Sequence, residues 1–190
     1  MELVFIRHGK TKGNLERRYV GSTDEEILPE EKLILEKKKC PKVEHVYVSP
    51  MKRCRMTASI LYPKIEETVE DRLRETDFGL FEYRNYEELK DNTAYQKWID
   101  SLGTIGFPQG ENMEESSRRC REGYLACIQD AKRKHYERIA FVVHGGTIMA
   151  LFAAYSFPHK DYFCWQSSNA GGYTGIWNEA EQKIEQIEKL

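Results

Sequence analysis

Met1-Glu2-Leu3-Val4-Phe5-Ile6-Arg7-His8-Gly9-Lys10-Thr11-Lys12-Gly13-Asn14 opens the chain and decides its fold. Residues 1–6 are apolar enough for a short buried strand, and they run straight into an arginine, a histidine and a polar loop. Open α/β sheets hold their ligands at the carboxyl ends of their strands, so this position suits Arg7, His8 and Asn14 to bind and attack a phosphate. Farther along, Ile139-Ala140-Phe141-Val142-Val143 is the clearest buried strand in the chain, and it ends at His144-Gly145-Gly146-Thr147. A single histidine after a strand reads more readily as a satisfied turn residue than as part of a site. Twice in one chain, each time before a glycine, the balance shifts toward a shared site, because parallel neighbouring strands would deliver both imidazoles to one edge. Gly145 and Gly146, ahead of an apolar helix, also offer backbone N–H groups to an anion.

Between these two strands, helix and strand signals alternate as expected of a βα domain. Residues 29–39 begin with proline and acids and end in lysines, matching a helix dipole. Residues 43–48 alternate as a strand; Ser49 then reads as an N-cap and Pro50 as the first residue of a helix over 51–61. A short extended stretch at 64–69 leads to Leu73-Arg74-Glu75-Thr76-Asp77-Phe78-Gly79. Residues 80–110 form an aromatic-rich, partly helical excursion, 111–136 read as a long helix, and the tail reads as a terminal hairpin at 172–177 and 183–188. The expectation is one domain over residues 1–190, with an insertion at about 80–110 capping the site.

Composition narrows the function classes. Among 190 residues, 29 are basic and 31 acidic, a formal net charge of −2 that gives no reason to expect a nucleic-acid or anionic-membrane partner. The opening segment lacks the basic and apolar regions of a secretory signal, and no apolar run approaches the roughly 20 residues that span a bilayer. The five cysteines are scattered without the CxxC spacing of a zinc site, and their odd number argues against a disulfide framework. A reduced, cytoplasmic protein is expected. Cys127-x5-Arg133 matches the bare pattern of a cysteine phosphatase, but the intervening residues lack glycine and lie in a helical stretch.

Two further residues complete the candidate chemistry. Arg53 stands in the first turns of a helix that begins at a strand end, where a cation is unfavourable unless an anion is bound. Glu75 precedes Phe78-Gly79, which puts a carboxyl group beside an apolar wall, a setting suited to a proton donor.

Taken together, the segments resemble the histidine phosphatase superfamily, or phosphoglycerate mutase-like fold, over almost the whole chain. The resemblance is carried in order by Arg7-His8-Gly9-x-Thr11-x-x-Asn14, Tyr19-Val20-Gly21-Ser22-Thr23-Asp24, Ser49-Pro50-Met51-x-Arg53-x-x-x-Thr57-Ala58, Leu73-Arg74-Glu75-x-x-Phe78-Gly79-x-Phe81-Glu82 and Val143-His144-Gly145-Gly146. It implies an α/β fold: a three-layer, doubly wound, mostly parallel sheet with helices on both faces. It also implies that His8 is the nucleophile, that Arg7, Asn14, Arg53 and His144 hold the phosphoryl oxygens, and that Glu75 is the acid and then the base. Gly21, Ser22 and Gly145 join the expected substrate-binding set. No metal or other cofactor is implied, and the expected ligands are a small phosphorylated metabolite and inorganic phosphate. The most similar branch contains small bacterial phosphatases, including α-ribazole phosphatases.

Lys10, Lys32, Cys54 and the run Phe81-Glu82-Tyr83 depart from the family's usual residues. None removes a catalytic group, and Lys10 and Tyr83 are expected near the rim that meets the leaving group. A phosphoglycerate mutase-type transferase and a non-catalytic phospho-ligand binder remain as alternatives; the short insertion favours hydrolysis over the first, and the acid Glu75 argues against the second. The sequence leaves open whether the aromatic insertion stacks on the substrate or forms a small core of its own, and it does not set the oligomeric state.

Overall fold

The computed structural model describes residues 1–101 and 103–190; position 102 of the insertion lies outside the described residues. In chain order the elements are β1 (Glu2–Arg7), α1 (Lys12–Leu15), α2 (Pro29–Lys37), β2 (His45–Val48), α3 (Lys52–Leu61), β3 (Glu67–Val69), α4 (Tyr86–Leu89), α5 (Thr93–Asp100), α6 (Met113–Arg133), β4 (Arg138–Val143), α7 (Gly145–Tyr155), β5 (Gly172–Asn178) and β6 (Lys183–Lys189), with short 3-10 turns between some of them. The strands form one six-stranded sheet in the order β3-β2-β4-β1-β5-β6. β3, β2, β4 and β1 pair in parallel; the terminal hairpin β5–β6 adds the antiparallel edge. This is the mostly parallel α/β sheet that the family resemblance implies, and its strands and helices alternate as the pattern predicts.

Burial on both faces explains why β1 reads as a continuous apolar run rather than an alternating one. Leu3 and Phe5 point to the layer of α6 and α7, whereas Val4 and Ile6 point to the layer of α3. Phe5 stacks on Phe141 at 5.0 Å and meets the edge of Phe152 at 4.9 Å. Deleting such a ring costs about 3–5 kcal/mol, a large part of a domain's net stability. α6 starts in a capping box between Asn112 and Glu115, with Glu114 and Glu115 in its first turn and Lys132 and Arg133 in its last.

The register of β1 on β4 positions the chemistry. Arg7 pairs with Val143, so the next residues, His8 and His144, leave the sheet side by side. The condition set by the sequence pattern, parallel neighbouring strands, is therefore met.

One local expectation is corrected. α3 begins at Lys52 with Met51 as its N-cap and no side-chain cap, rather than at 51 under a Ser49 cap. The Met51 amide donates to the Ser49 hydroxyl over a long 3.4 Å, because the main partner of that hydroxyl lies elsewhere. The insertion adds a small core of Phe81, Leu89 and Tyr95, against which Tyr19, Phe78, Trp98 and Phe107 pack.

Candidate active site

β1 ends at Arg7, and the next residue, His8, is only 3% exposed. Its amide donates to the Val143 carbonyl, and the Gly9 amide donates to Thr57 Oγ1 at 2.9 Å, which pins the loop to β4 and α3. His8 Nδ1 lies 2.8 Å from the Gly9 carbonyl oxygen. A carbonyl can only accept, so Nδ1 carries the proton and Nε2 keeps a lone pair in the neutral ring. Burial, then the nearby Arg53 and Arg7 charges, holds the His8 imidazole well below its ordinary value. The ring is thus uncharged at neutral pH, with Nε2 as its nucleophilic atom.

His144 faces it, with ring centroids 5.2 Å apart. Burial, then Arg53, His8 and Arg7, keeps this imidazole well below its ordinary value too. Its Nε2 is 2.7 Å from Ser49 Oγ, the partner that draws Ser49 away from capping α3. Cys54 Sγ stands 3.5 Å from the same nitrogen, and burial pushes the Cys54 thiol up to about 12, so it packs there as an uncharged group.

Arg53 is fully buried and held by carbonyls. It donates from Nη1 to Thr23 O at 2.8 Å, and from Nη2 to Gly21 O at 2.9 Å and Val20 O at 3.3 Å. The loop that supplies these oxygens is shaped in turn by Glu82, whose Oε1 accepts from the Gly21 amide at 2.8 Å and the Thr23 amide at 3.0 Å. A Cβ on Gly21 would sit 2.0 Å from the Thr76 carbonyl oxygen, so only glycine lets the loop approach the Glu75 segment this closely. Gly21 thus has both its amide and its carbonyl engaged in holding Arg53. Ser22 is exposed beside it and outside the cavity described below.

Glu75 is gripped at both oxygens. Oε1 accepts from the Thr76 amide at 3.0 Å and Oε2 from the Gly146 amide at 3.1 Å, in the first turn of α7. A Cβ on Gly146 would fall 2.3 Å from Glu75 Oε1, which explains the second glycine of the pair. Gly145 packs against the Arg7 guanidinium, which donates from Nη1 to the Ser167 carbonyl at 2.8 Å. Asn14 Oδ1 caps α1 through the Thr11 amide and accepts from Asn169 Nδ2 at 3.0 Å; Asn169 also donates to the His8 carbonyl.

These contacts gather Arg7, His8, Asn14, Arg53, Glu75, His144 and Gly145 around one strand edge, with Gly21 one layer behind. Sequence reasoning missed Ser49 as a partner of His144, and missed Ser167 and Asn169 entirely. The polar run Ser167-Ser168-Asn169 ahead of a strand was the available signal for the last two. The Nε–H groups of Arg7 and Arg53 are buried with no hydrogen-bond partner among the described residues. Buried charged donors in that state call for an acceptor, and the surplus of positive charge calls for an anion.

A cavity of about 360 Å³ opens on the Arg7–Glu75 side. Tyr19, Phe78, Trp98 and Phe107 wall it on one side, with Met149 and Phe163 among the residues that complete it. The same aromatic residues form the outer layer of the insertion's small core, so the two readings of that segment, wall and core, describe its two faces. Lys10 is exposed and does not line this cavity, and the Tyr83 hydroxyl is drawn to Glu25 at 3.1 Å.

Comparison with known proteins bears on the fold and the family. A Hydrogenobacter thermophilus protein named for phosphoserine phosphatase is 27% identical over 78% of this chain and 75% of its own length. Phosphoglycerate mutase-like protein 4 of Arabidopsis thaliana is 32% identical over 80% of this chain and 69% of its own. The crystal structure of the α-ribazole phosphatase of Shigella flexneri superposes with a TM-score of 0.84 at 20% identity, covering 97% of this chain and 94% of that one, a likeness of fold. The model of the histidine phosphatase superfamily, branch 1, matches residues 3–189, and the chain belongs to that family.

Proposed function

We propose that this protein is a metal-independent phosphomonoester hydrolase that works through a phosphohistidine. The observation that carries the reading is the state of His8: an uncharged imidazole with Nδ1 committed to a carbonyl and Nε2 free, beside the guanidinium groups of Arg7 and Arg53, whose buried Nε–H groups lack acceptors among the described residues. In the first step Nε2 bonds to phosphorus as the bond from phosphorus to the alcohol oxygen breaks. Glu75 gives its proton to that oxygen. In the second, water attacks phosphorus, Glu75 takes the proton, and the N–P bond breaks to release inorganic phosphate and neutral His8. Arg7, Arg53, Asn14 and His144 stabilise the charge spread over the phosphoryl oxygens.

Hydrolysis is favoured over mutase transfer because the cavity is open to solvent at its mouth, where Phe163 is 64% exposed. A mutase must keep water from its phosphoenzyme. The substrate in this reading is a small phosphorylated metabolite, with α-ribazole phosphate the candidate taken from the similar Shigella flexneri structure. The enzyme would act on it in the cytoplasm, with neither nucleic acid nor membrane as partner.

The test is hydrolysis of a chromogenic aryl phosphate in the presence of a chelator. Turnover by the intact protein and none by His8→Ala is expected; equal turnover by both, or loss of turnover on adding chelator, would refute the reading.

A further inference from the structure

Beyond the phosphoryl site, the walls of the cavity carry information about the alcohol that leaves. We infer that the cavity selects phosphomonoesters whose alcohol is uncharged with a flat apolar body, and that it rejects esters of carboxylated alcohols. The inference rests on the phosphatase reading above.

Among the described residues, the charged groups lining the cavity are Arg7 and Glu75. Both stand at the phosphoryl end: Arg7 gives Nη1 to the Ser167 carbonyl and keeps its buried Nε–H for the phosphoryl group, and Glu75 is held by two amides. The aromatic wall is locked before any ligand arrives. Phe78 meets the edges of Tyr19 at 5.2 Å and of Phe107 at 5.0 Å, and Trp98 lies against Phe107 at 5.0 Å. Tyr19 brings its ring without its hydroxyl, which is bonded to the Tyr95 hydroxyl at 3.0 Å. Two other polar lining groups are taken, Ser116 by Thr76 at 2.7 Å and the Tyr162 hydroxyl by the Gly146 carbonyl at 3.4 Å, whereas Trp98 Nε1 and Ser167 Oγ are neutral groups left without a partner among the described residues. Met149 and the exposed ring of Phe163 leave apolar surface that a flat ligand would cover.

A carboxylate placed here would lose water and find no cation of its own, since Arg7 is needed by the phosphoryl group. Phosphoserine and phosphoglycerate, for which the relatives are named, both carry a carboxylate on the same three-carbon skeleton as the ester. The walls of this cavity are therefore those of a different substrate class.

The experiment compares kcat/KM for phenyl phosphate and 3-carboxyphenyl phosphate, whose leaving groups are similar in acidity, using the full chain and its Met149→Lys and Phe163→Lys variants. The intact protein is expected to favour the uncharged ester by about 100-fold, mainly through KM, and each lysine to narrow that ratio by about tenfold. Phe163 is exposed, so its variant keeps the fold even if Met149→Lys does not. Turnover of both esters within about threefold of one another, or lysine variants that leave the ratio unchanged, would overturn the inference while leaving the hydrolase reading intact. Turnover of neither ester by the intact protein would overturn both.

Discussion

Replacing Glu82 by alanine should disable the site without touching it. Glu82 Oε1 is the shared acceptor for the amides of Gly21 and Thr23, at 2.8 and 3.0 Å, and the carbonyls of those same residues hold the Arg53 guanidinium. A hydrogen bond to a charged acceptor contributes about 1.5–3 kcal/mol. Glu82 is half-buried, so water can replace part of what alanine removes, and the expected loss of stability is about 2–4 kcal/mol for the two bonds together. The consequence for Arg53 is larger in kind. A catalytic cation displaced by about 1 Å costs on the order of 100-fold in rate, so kcat/KM should fall by about that factor. Glutamine keeps an oxygen that can accept from both amides, and Glu82→Gln should recover most of the activity. The assay pairs urea denaturation with the inhibition constant of inorganic phosphate, which reads Arg53 directly. A destabilised Glu82→Ala protein with unchanged phosphate inhibition and unchanged kcat/KM would refute the coupling of this loop to Arg53.

Glu75→Gln should lower kcat for alkyl phosphates by about 10³-fold and for nitrophenyl phosphate by less than about tenfold, because a good leaving group needs no proton; equal losses across a leaving-group series would remove Glu75 as the acid. Ser49→Ala leaves His144 Nε2 without its 2.7 Å partner and should lower kcat/KM by roughly 10–100-fold through a misoriented imidazole; an unchanged rate would show that packing alone holds the ring. In phosphate-free buffer, stability should fall as pH drops below about 6.5, because the unfolded chain then binds protons at His8 and His144 that the native state, with both imidazoles depressed, does not. The loss continues down toward the native values, and His144→Gln should remove one proton's share of the slope, about 1.4 kcal/mol per pH unit; denaturation midpoints with the same pH slope in both proteins would contradict the buried neutral state of His144.

How much of this was legible in the sequence depended on the range of each interaction. The histidine pair was readable because strand, histidine and glycine are consecutive, and because a parallel register converts two equivalent strand ends into one edge. Arg53 was readable from its unfavourable place in the first turns of a helix. Ser49 was misread for the same local reason: Ser-Pro before a helix has the form of a cap, but a partner 95 positions away draws the hydroxyl to His144. Asn169 and Ser167 lie 155 and 160 positions from Asn14 and Arg7, in a loop without periodicity, so the polar run ahead of β5 was the one local mark they left. Glu82 stood inside a recognised motif, yet its task, two amides of a loop some 60 positions earlier, exists only once the insertion has folded back over the sheet. The aromatic residues of 80–110 declared that they were buried, but not that one layer would form a core and the next a cavity wall.

The central claim is that His8 Nε2 becomes phosphorylated, and it is tested most directly by trapping the phosphoenzyme. The intact protein, mixed with a slow aryl phosphate and quenched in alkali, should carry an acid-labile, base-stable phosphoryl group on the peptide that contains His8, with the phosphorus on Nε2 because Nδ1 is committed to the Gly9 carbonyl. A phosphoryl group on any other residue, on Nδ1 of His8, or on none while hydrolysis proceeds would contradict the account.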